Sequence, residues 1–258
     1  MSGPQLQDPI VLVHGILGFD KLRTVFGPLE YFRKVREVLR ATGNLVPEPP
    51  QLNTAGSITE RAQALKRYLE TTPDIAGRKV HLVAHSMGGL DARHMISRLS
   101  MADRVRTLTT IGTPHQGTPF ASLGLAVLQP LAQLLREHDV DIQGFFALTV
   151  EAGATFDKET PDASQVQYFS VAGLYTPGAL DLLKLSHDLI ESAGGGPNDG
   201  LVPVASAQHG HFLGTWQANH FRLVNWATNL LIPPWELVQT DILNHYTSLV
   251  QTLAARGF

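Results

Sequence analysis

The chain has 258 residues, 43% of them hydrophobic and 17% charged, a formal net charge of -3 and no cysteine. That length can bury a large core, and with an alternating α/β pattern it is expected to form a single domain over 1–258. The weak net charge, without a block of one sign, argues against nucleic acid and anionic lipid as partners. The missing cysteine excludes disulfides and thiolate catalysis.

A small or neutral substrate is therefore the expectation. The opening MSGPQLQDP lacks the basic start and apolar stretch of a leader, and no run of about eighteen apolar residues follows. The chain reads as soluble, without a transmembrane segment and with its compartment open, since a mature secreted protein would look the same.

Ile10-Val11-Leu12-Val13 is a continuous apolar run closed by His14-Gly15, the pattern of a buried parallel strand ending in a loop. Helical spacing is expected from about Pro28 to Thr42 and again from Ser57 to Leu69. A second buried strand is Lys79 to Val83, followed after a small-residue turn by a helix from Leu90 to Leu99. Further strands are expected at Val105 to Ile111, Val166 to Ala172 and near Phe212 to Trp216. Strands alternating with helices predict a mostly parallel sheet covered on both faces. From Gly117 to about Gln165 the alternation stops; the apolar stretch from Leu123 to Leu148 reads as an insertion on the sheet. Gly194-Gly195-Gly196 reads as a flexible approach to Pro197-Asn198-Asp199.

Ala84-His85-Ser86-Met87-Gly88-Gly89 falls between a predicted strand and a predicted helix, where a nucleophile elbow holds its serine in a sharp turn flanked by small residues. A serine at its free pKa is a weak nucleophile and needs a base and an orienting acid, which on this fold follow in the order Ser, Asp or Glu, His. Asp199, in the turn Asn198-Asp199-Gly200, is a candidate acid. Among eleven histidines, His220 lies on the loop expected after the last strand; His209, His211 and His245 compete with it, and spacing alone does not separate them. Oxyanion donors are expected from the backbone N–H groups of Met87, after the nucleophile, and Ile16, on the loop after the first strand. His14 is expected to orient that loop by hydrogen bonding. No cofactor is implied.

With these residues assembled, the chain resembles the bacterial true lipases of the Pseudomonas, Burkholderia and Proteus type. The resemblance is at the level of motifs but spans most of the chain. It rests on Pro9 to Gly15 with Leu17-Gly18-Phe19-Asp20, on Ala84 to Gly89, on Thr113-Pro114-His115 with Gly117, on Asn198-Asp199-Gly200-Leu201-Val202, and on Asn219-His220. It implies an α/β-hydrolase fold whose sheet lacks the first two strands, a helical lid within about 117–165, Asp199 as triad acid and His220 as base. Leu17 and Phe19 would line an acyl groove. The partner implied is an ester or lipid substrate, dissolved or at a lipid–water interface. Short-chain carboxylesterase, phospholipase or acyltransferase activity would use the same triad, and a binding module without catalysis is the reading from another class.

The resemblance also implies a structural calcium held after the catalytic histidine, but the ligand positions here are Arg222 and Trp226, and a guanidinium offers calcium no oxygen. No metal is therefore expected, and Arg222 is expected to pair with Asp181 in its place.

Overall fold

The computed structural model describes residues 5–16, 30–53, 56–122, 143–226 and 240–258. Five parallel strands stand in chain order: β1 (Ile10–Val13), β2 (Val80–His85), β3 (Val105–Ile111), β4 (Gln167–Leu174) and β5 (His211–Gln217). Parallel neighbours require crossovers, and right-handed ones carry helices to the two faces. The described helices are α1 (Val35–Ala41), α2 (Ile58–Thr71), α3 (Met87–Arg98), α4 (Gln143–Phe146), α5 (Val150–Glu159), α6 (Lys184–Ser192) and α7 (Thr240–Ala255).

Side-chain alternation along β1 assigns the layers. Ile10 and Leu12 join Val83, Ile111, Phe169 and Val171 beneath α1 and α7, where Val35, Leu39, Ile242 and Tyr246 close the core. Val11 and Val13 point the other way, joining Leu82, Ala84 and Leu108 beneath Ala62 and Leu65 of α2 and Ala92 and Met95 of α3. All four residues of β1 are buried, as a run apolar on both faces requires. This is the α/β-hydrolase fold, with the strand that leads to Ser86 second in the sheet.

The strands fall close to their expected positions. For α2 the start is fixed by a capping box: Ser57 accepts from the Glu60 N–H and the Glu60 carboxylate accepts from the Ser57 N–H. Two helices start elsewhere than the apolar spacing suggests. The first begins only at Val35, because Lys34 adopts a left-handed φ of 62° and breaks the turn before it. The helix expected from Leu90 already begins at Met87. Its first turn holds Gly88 and Gly89, poor helix formers kept for close approach: a Cβ on Gly88 would lie 2.7 Å from the carbonyl oxygens of both Val13 and His14. Residues 123–142 of the expected lid lie outside the described residues, as do Leu17 and Phe19. No helix among the described residues is long and apolar enough to cross a membrane.

Three histidines are built into this core. Burial holds His81 down to about 4. Burial, and then the neighbouring His220, keep His85 well below 6.5, and burial followed by His209 and Arg93 does the same for His115. A base with a depressed native pKa stabilises the fold above its unfolded value and ceases to do so as pH falls. The unfolding free energy in urea is therefore expected to hold level above pH 7 and to decline from pH 6.5 toward 4. Each histidine contributes a slope of up to about 1.4 kcal/mol per pH unit. Stability unchanged between pH 6.5 and 4.5 would contradict this account.

Candidate active site

At the end of β2 the backbone turns into α3 through Ser86, whose φ of 55° and ψ of −135° lie outside the ordinary regions for an L-residue. Such strain persists only where the surroundings impose it. Thr113 donates to the Ser86 carbonyl at 2.7 Å, and the Ser86 N–H donates to Ile111 O at 3.0 Å. A Cβ on Gly15 would come within 2.7 Å of the Ser86 Cβ, so the loop after β1 lies directly against the elbow. Although Ser86 occupies the N-cap position, its side chain makes no capping bond; its hydroxyl faces His220 instead.

The structure brings together the three residues picked from the sequence. His220 Nε2 lies 3.0 Å from Ser86 Oγ and Nδ1 lies 2.8 Å from Asp199 Oδ2. A carboxylate only accepts, so Nδ1 carries the proton and donates, leaving Nε2 free to accept from the serine hydroxyl. Asp199 is wholly buried, and its second oxygen accepts from the N–H groups of Leu201 and Val202 at 3.0 and 2.7 Å. The turn that carries it is built by its neighbours. Asn198 Oδ1 accepts from Gly200 N–H at 2.8 Å, and Gly200 takes a φ of 94°. His220 N–H donates to Asp199 O at 2.8 Å, which locks the two loops together.

The competing histidines have other partners. His209 bonds to Asp162 and stacks on His115, His211 lies 2.7 Å from Arg256 Nη2, and His245 stacks on Trp216. The Thr113-Pro114-His115 stretch buttresses the elbow: His115 accepts from Arg93 through Nδ1 and donates to Thr110 Oγ1. His14 donates through Nδ1 to Gly15 O, while its Nε2 accepts from Leu52 N–H.

Met87, directly after the serine, opens α3, where first-turn N–H groups have no partner within the helix. Ile16 lines an apolar pocket of about 340 Å³ that has Ser86 and His220 at its base. Its walls come from Phe120, Leu148, Leu182, Leu201, Val202 and Phe221.

Arg222 corrects one expectation. Its guanidinium pairs with Asp241 at the start of α7, while the Asp181 carboxylate accepts from Leu183 N–H at 2.9 Å and faces the Tyr175 hydroxyl. The Asp181 carboxylate is engaged by Leu183 N–H just ahead of α6, and Arg222 pairs instead at the start of α7, where an acidic residue also suits the dipole. Trp226 ties the same loop down by donating to Tyr31 O at 2.9 Å. Among the described residues, His187, Asp188 and Glu191 bring three potential metal-ligating atoms within 4.8 Å of one another. Lys184 Nζ already neutralises Asp188 at 2.5 Å.

Sequence reasoning missed four residues behind the site. Arg61, fully buried, reaches Asp91 Oδ2 of α3 at 2.8 Å and donates to His14 O at 2.7 Å and Asn53 O at 2.6 Å. Burial pushes the Asp91 carboxyl up to about 6, against the pull of Arg61. A signal was present, since Arg61 sits on the apolar stripe of Ile58, Ala62, Leu65 and Leu69. The other two are Tyr31 and His85, which join the loop after β1 to the His220 loop.

A family model for palmitoyl protein thioesterases matches residues 9–170, from β1 to the first residues of β4. Triacylglycerol lipase 2 of Saccharomyces cerevisiae is 29% identical over 304 residues, covering 98% of this chain and 93% of that protein. The triacylglycerol lipase of Vibrio cholerae is 28% identical over 290 residues, covering 98% and 89%. The crystal structure of Staphylococcus hyicus lipase superposes with a TM-score of 0.74 at 19% identity, over 98% of this chain and 97% of that one, a likeness of fold. With the match running through the elbow and most of the sheet, this α/β-hydrolase-fold enzyme belongs to the palmitoyl protein thioesterase family.

Proposed function

We propose that the protein is a serine ester hydrolase of lipase type that cleaves acylglycerol esters to fatty acid and alcohol. The observation that carries this reading is the hydrogen-bonded line from Ser86 through His220 to Asp199 at the base of an apolar pocket. Ser86 Oγ attacks the ester carbonyl as its proton passes to His220 Nε2. Asp199 holds the imidazolium that forms, and the N–H groups of Met87 and Ile16 receive the oxyanion. The imidazolium then protonates the leaving alkoxide. Water, deprotonated by the same His220, releases the acid from the acyl-serine. Two backbone donors and the His220 ring satisfy the buried carboxylate of Asp199.

The names of the full-length relatives, triacylglycerol lipases of a yeast and a bacterium, support acylglycerol as substrate. Narrower kinship with the Pseudomonas and Burkholderia group rests on the motifs and on relatives that match under half of this chain. The family model favours a second reading, hydrolysis of a fatty-acyl thioester by the same residues.

The test compares hydrolysis of tributyrin and trioctanoin across their solubility limits, with Ser86→Ala as blank. The rate is expected to climb once droplets form. Saturation below the solubility limit would make the enzyme an esterase of dissolved substrates. A palmitoyl thioester cleaved faster than the matching oxygen ester would favour the second reading, and the absence of any Ser86-dependent rate would leave a binding module.

A further inference from the structure

His85 takes no part in the steps above, yet it lies between the parts that do. It ends β2, immediately before Ser86, and is buried with 1% of its surface exposed. Its Nδ1 lies 2.7 Å from Tyr31 Oη and its Nε2 3.1 Å from the carbonyl oxygen of His220. Tyr31 Oη in turn accepts from the Gly15 N–H at 3.1 Å. The ring centroids of His85 and His220 are 4.6 Å apart.

The direction of every bond in this line is determined. A backbone carbonyl only accepts, so the proton of a neutral His85 sits on Nε2 and is donated to His220 O. Nδ1 is then an acceptor, and the Tyr31 hydroxyl must donate to it. That leaves Tyr31 Oη as acceptor for Gly15 N–H. Burial and the adjacent His220 keep the His85 ring neutral, which this pattern needs, because a charged ring would present two donors and turn the tyrosine hydroxyl away.

We propose that His85 is a positioning residue for hydrolysis, holding the loop that carries Ile16 and the loop that carries His220 at fixed separation through one relay with Tyr31. Both loops lie against Ser86, one offering an oxyanion donor and the other the base. The segment that carries Tyr31 is also fastened to the His220 loop by Trp226 Nε1, which donates to Tyr31 O at 2.9 Å, and by Arg33 N–H, which donates to Val224 O at 3.2 Å, bonds that leave out His85. A single rigid imidazole on the nucleophile's own strand sets both distances at once. This rests on the reading of Ser86, His220 and Asp199 as the triad.

The test is a double-mutant cycle on p-nitrophenyl butyrate, a dissolved ester, with kcat, KM and melting temperature measured for Tyr31→Phe, His85→Phe and the pair. His85→Phe keeps the ring and removes both bonds; a misplacement of its loops is expected to lower kcat about 10²-fold. Tyr31→Phe, which deletes one hydroxyl, is expected to lower kcat about tenfold. KM should stay within about twofold in both. The pair should be no worse than His85→Phe, because the second change finds the relay already cut.

Losses that multiply in the pair, or a change confined to KM, would show Tyr31 touching substrate independently and overturn the relay. So would wild-type kcat in either folded single variant. Should His85→Phe fail to fold, His85→Leu, which also removes both bonds, replaces it in the cycle; wild-type kcat in Tyr31→Phe alone remains sufficient to reject the proposal. Wild-type turnover that vanishes in Ser86→Ala secures the triad first, so a failed cycle then counts against the relay only.

Discussion

Ser86→Ala is expected to lower kcat on the order of 10⁶-fold while leaving the fold intact. The side chain lost is a single hydroxyl whose bond is to His220. The unusual backbone at Ser86 is imposed by Thr113, Ile111 and the glycines around it rather than by the hydroxyl. Melting temperature should therefore barely move. The residual rate would come from the pocket and the oxyanion donors, which remain in place and are worth about 10³–10⁴ over water in enzymes of this kind. A fluorophosphonate should label the wild type at Ser86 and the variant not at all. Retained turnover, or labelling at another serine, would remove Ser86 from the role of nucleophile.

Asp199→Asn is expected to cost about 10⁴-fold in kcat with little effect on KM, through the tautomer of His220. The amide oxygen can replace Oδ1 and go on accepting from Leu201 and Val202 N–H. Its NH₂ then occupies the position of Oδ2 and faces His220 Nδ1. Two donors cannot meet, so the ring moves its proton to Nε2. That nitrogen then has no lone pair for the Ser86 proton. Combined with Ser86→Ala, the loss should be no greater than for Ser86→Ala alone, because the members of the unit do not act separately. Loss that is carried by KM, or that multiplies in the double variant, would mean that Asp199 acts on substrate binding instead.

The parts of the site that could be read from sequence are those whose chemistry is compressed into a few consecutive residues. Ala84 to Gly89 predicts the elbow because a strand, a serine between small residues and a helix follow one another without a gap. Asn198-Asp199-Gly200 predicts a turn because each residue has a local reason to be there. His220 was separable from His209, His211 and His245 by resemblance only, since what distinguishes it is the 2.8 Å bond to a residue 21 positions away.

The supporting residues escaped for a related reason. Arg61 and Asp91 are 30 positions apart, and Tyr31 and His85 are 54 apart; each member taken singly looks like an ordinary polar residue on an amphipathic helix or at a strand end. The expected pairing of Arg222 with Asp181 failed similarly. Proximity in a family's metal site says which positions are close, whereas the local helix start decides which carboxylate is free.

Thr118 N–H donates to Leu148 O at 2.8 Å, Val150 N–H donates to Ser122 Oγ at 3.3 Å, and Thr118 Oγ1 bonds Leu201 O beside Asp199. The described flanks of the insertion are thus bonded to each other, whatever length of sequence lies between them. Lengthening such a loop costs only the slow logarithm of its size. Changes in the length of the sequence between these ends should therefore leave the bonds among Ser86, His220 and Asp199 in place.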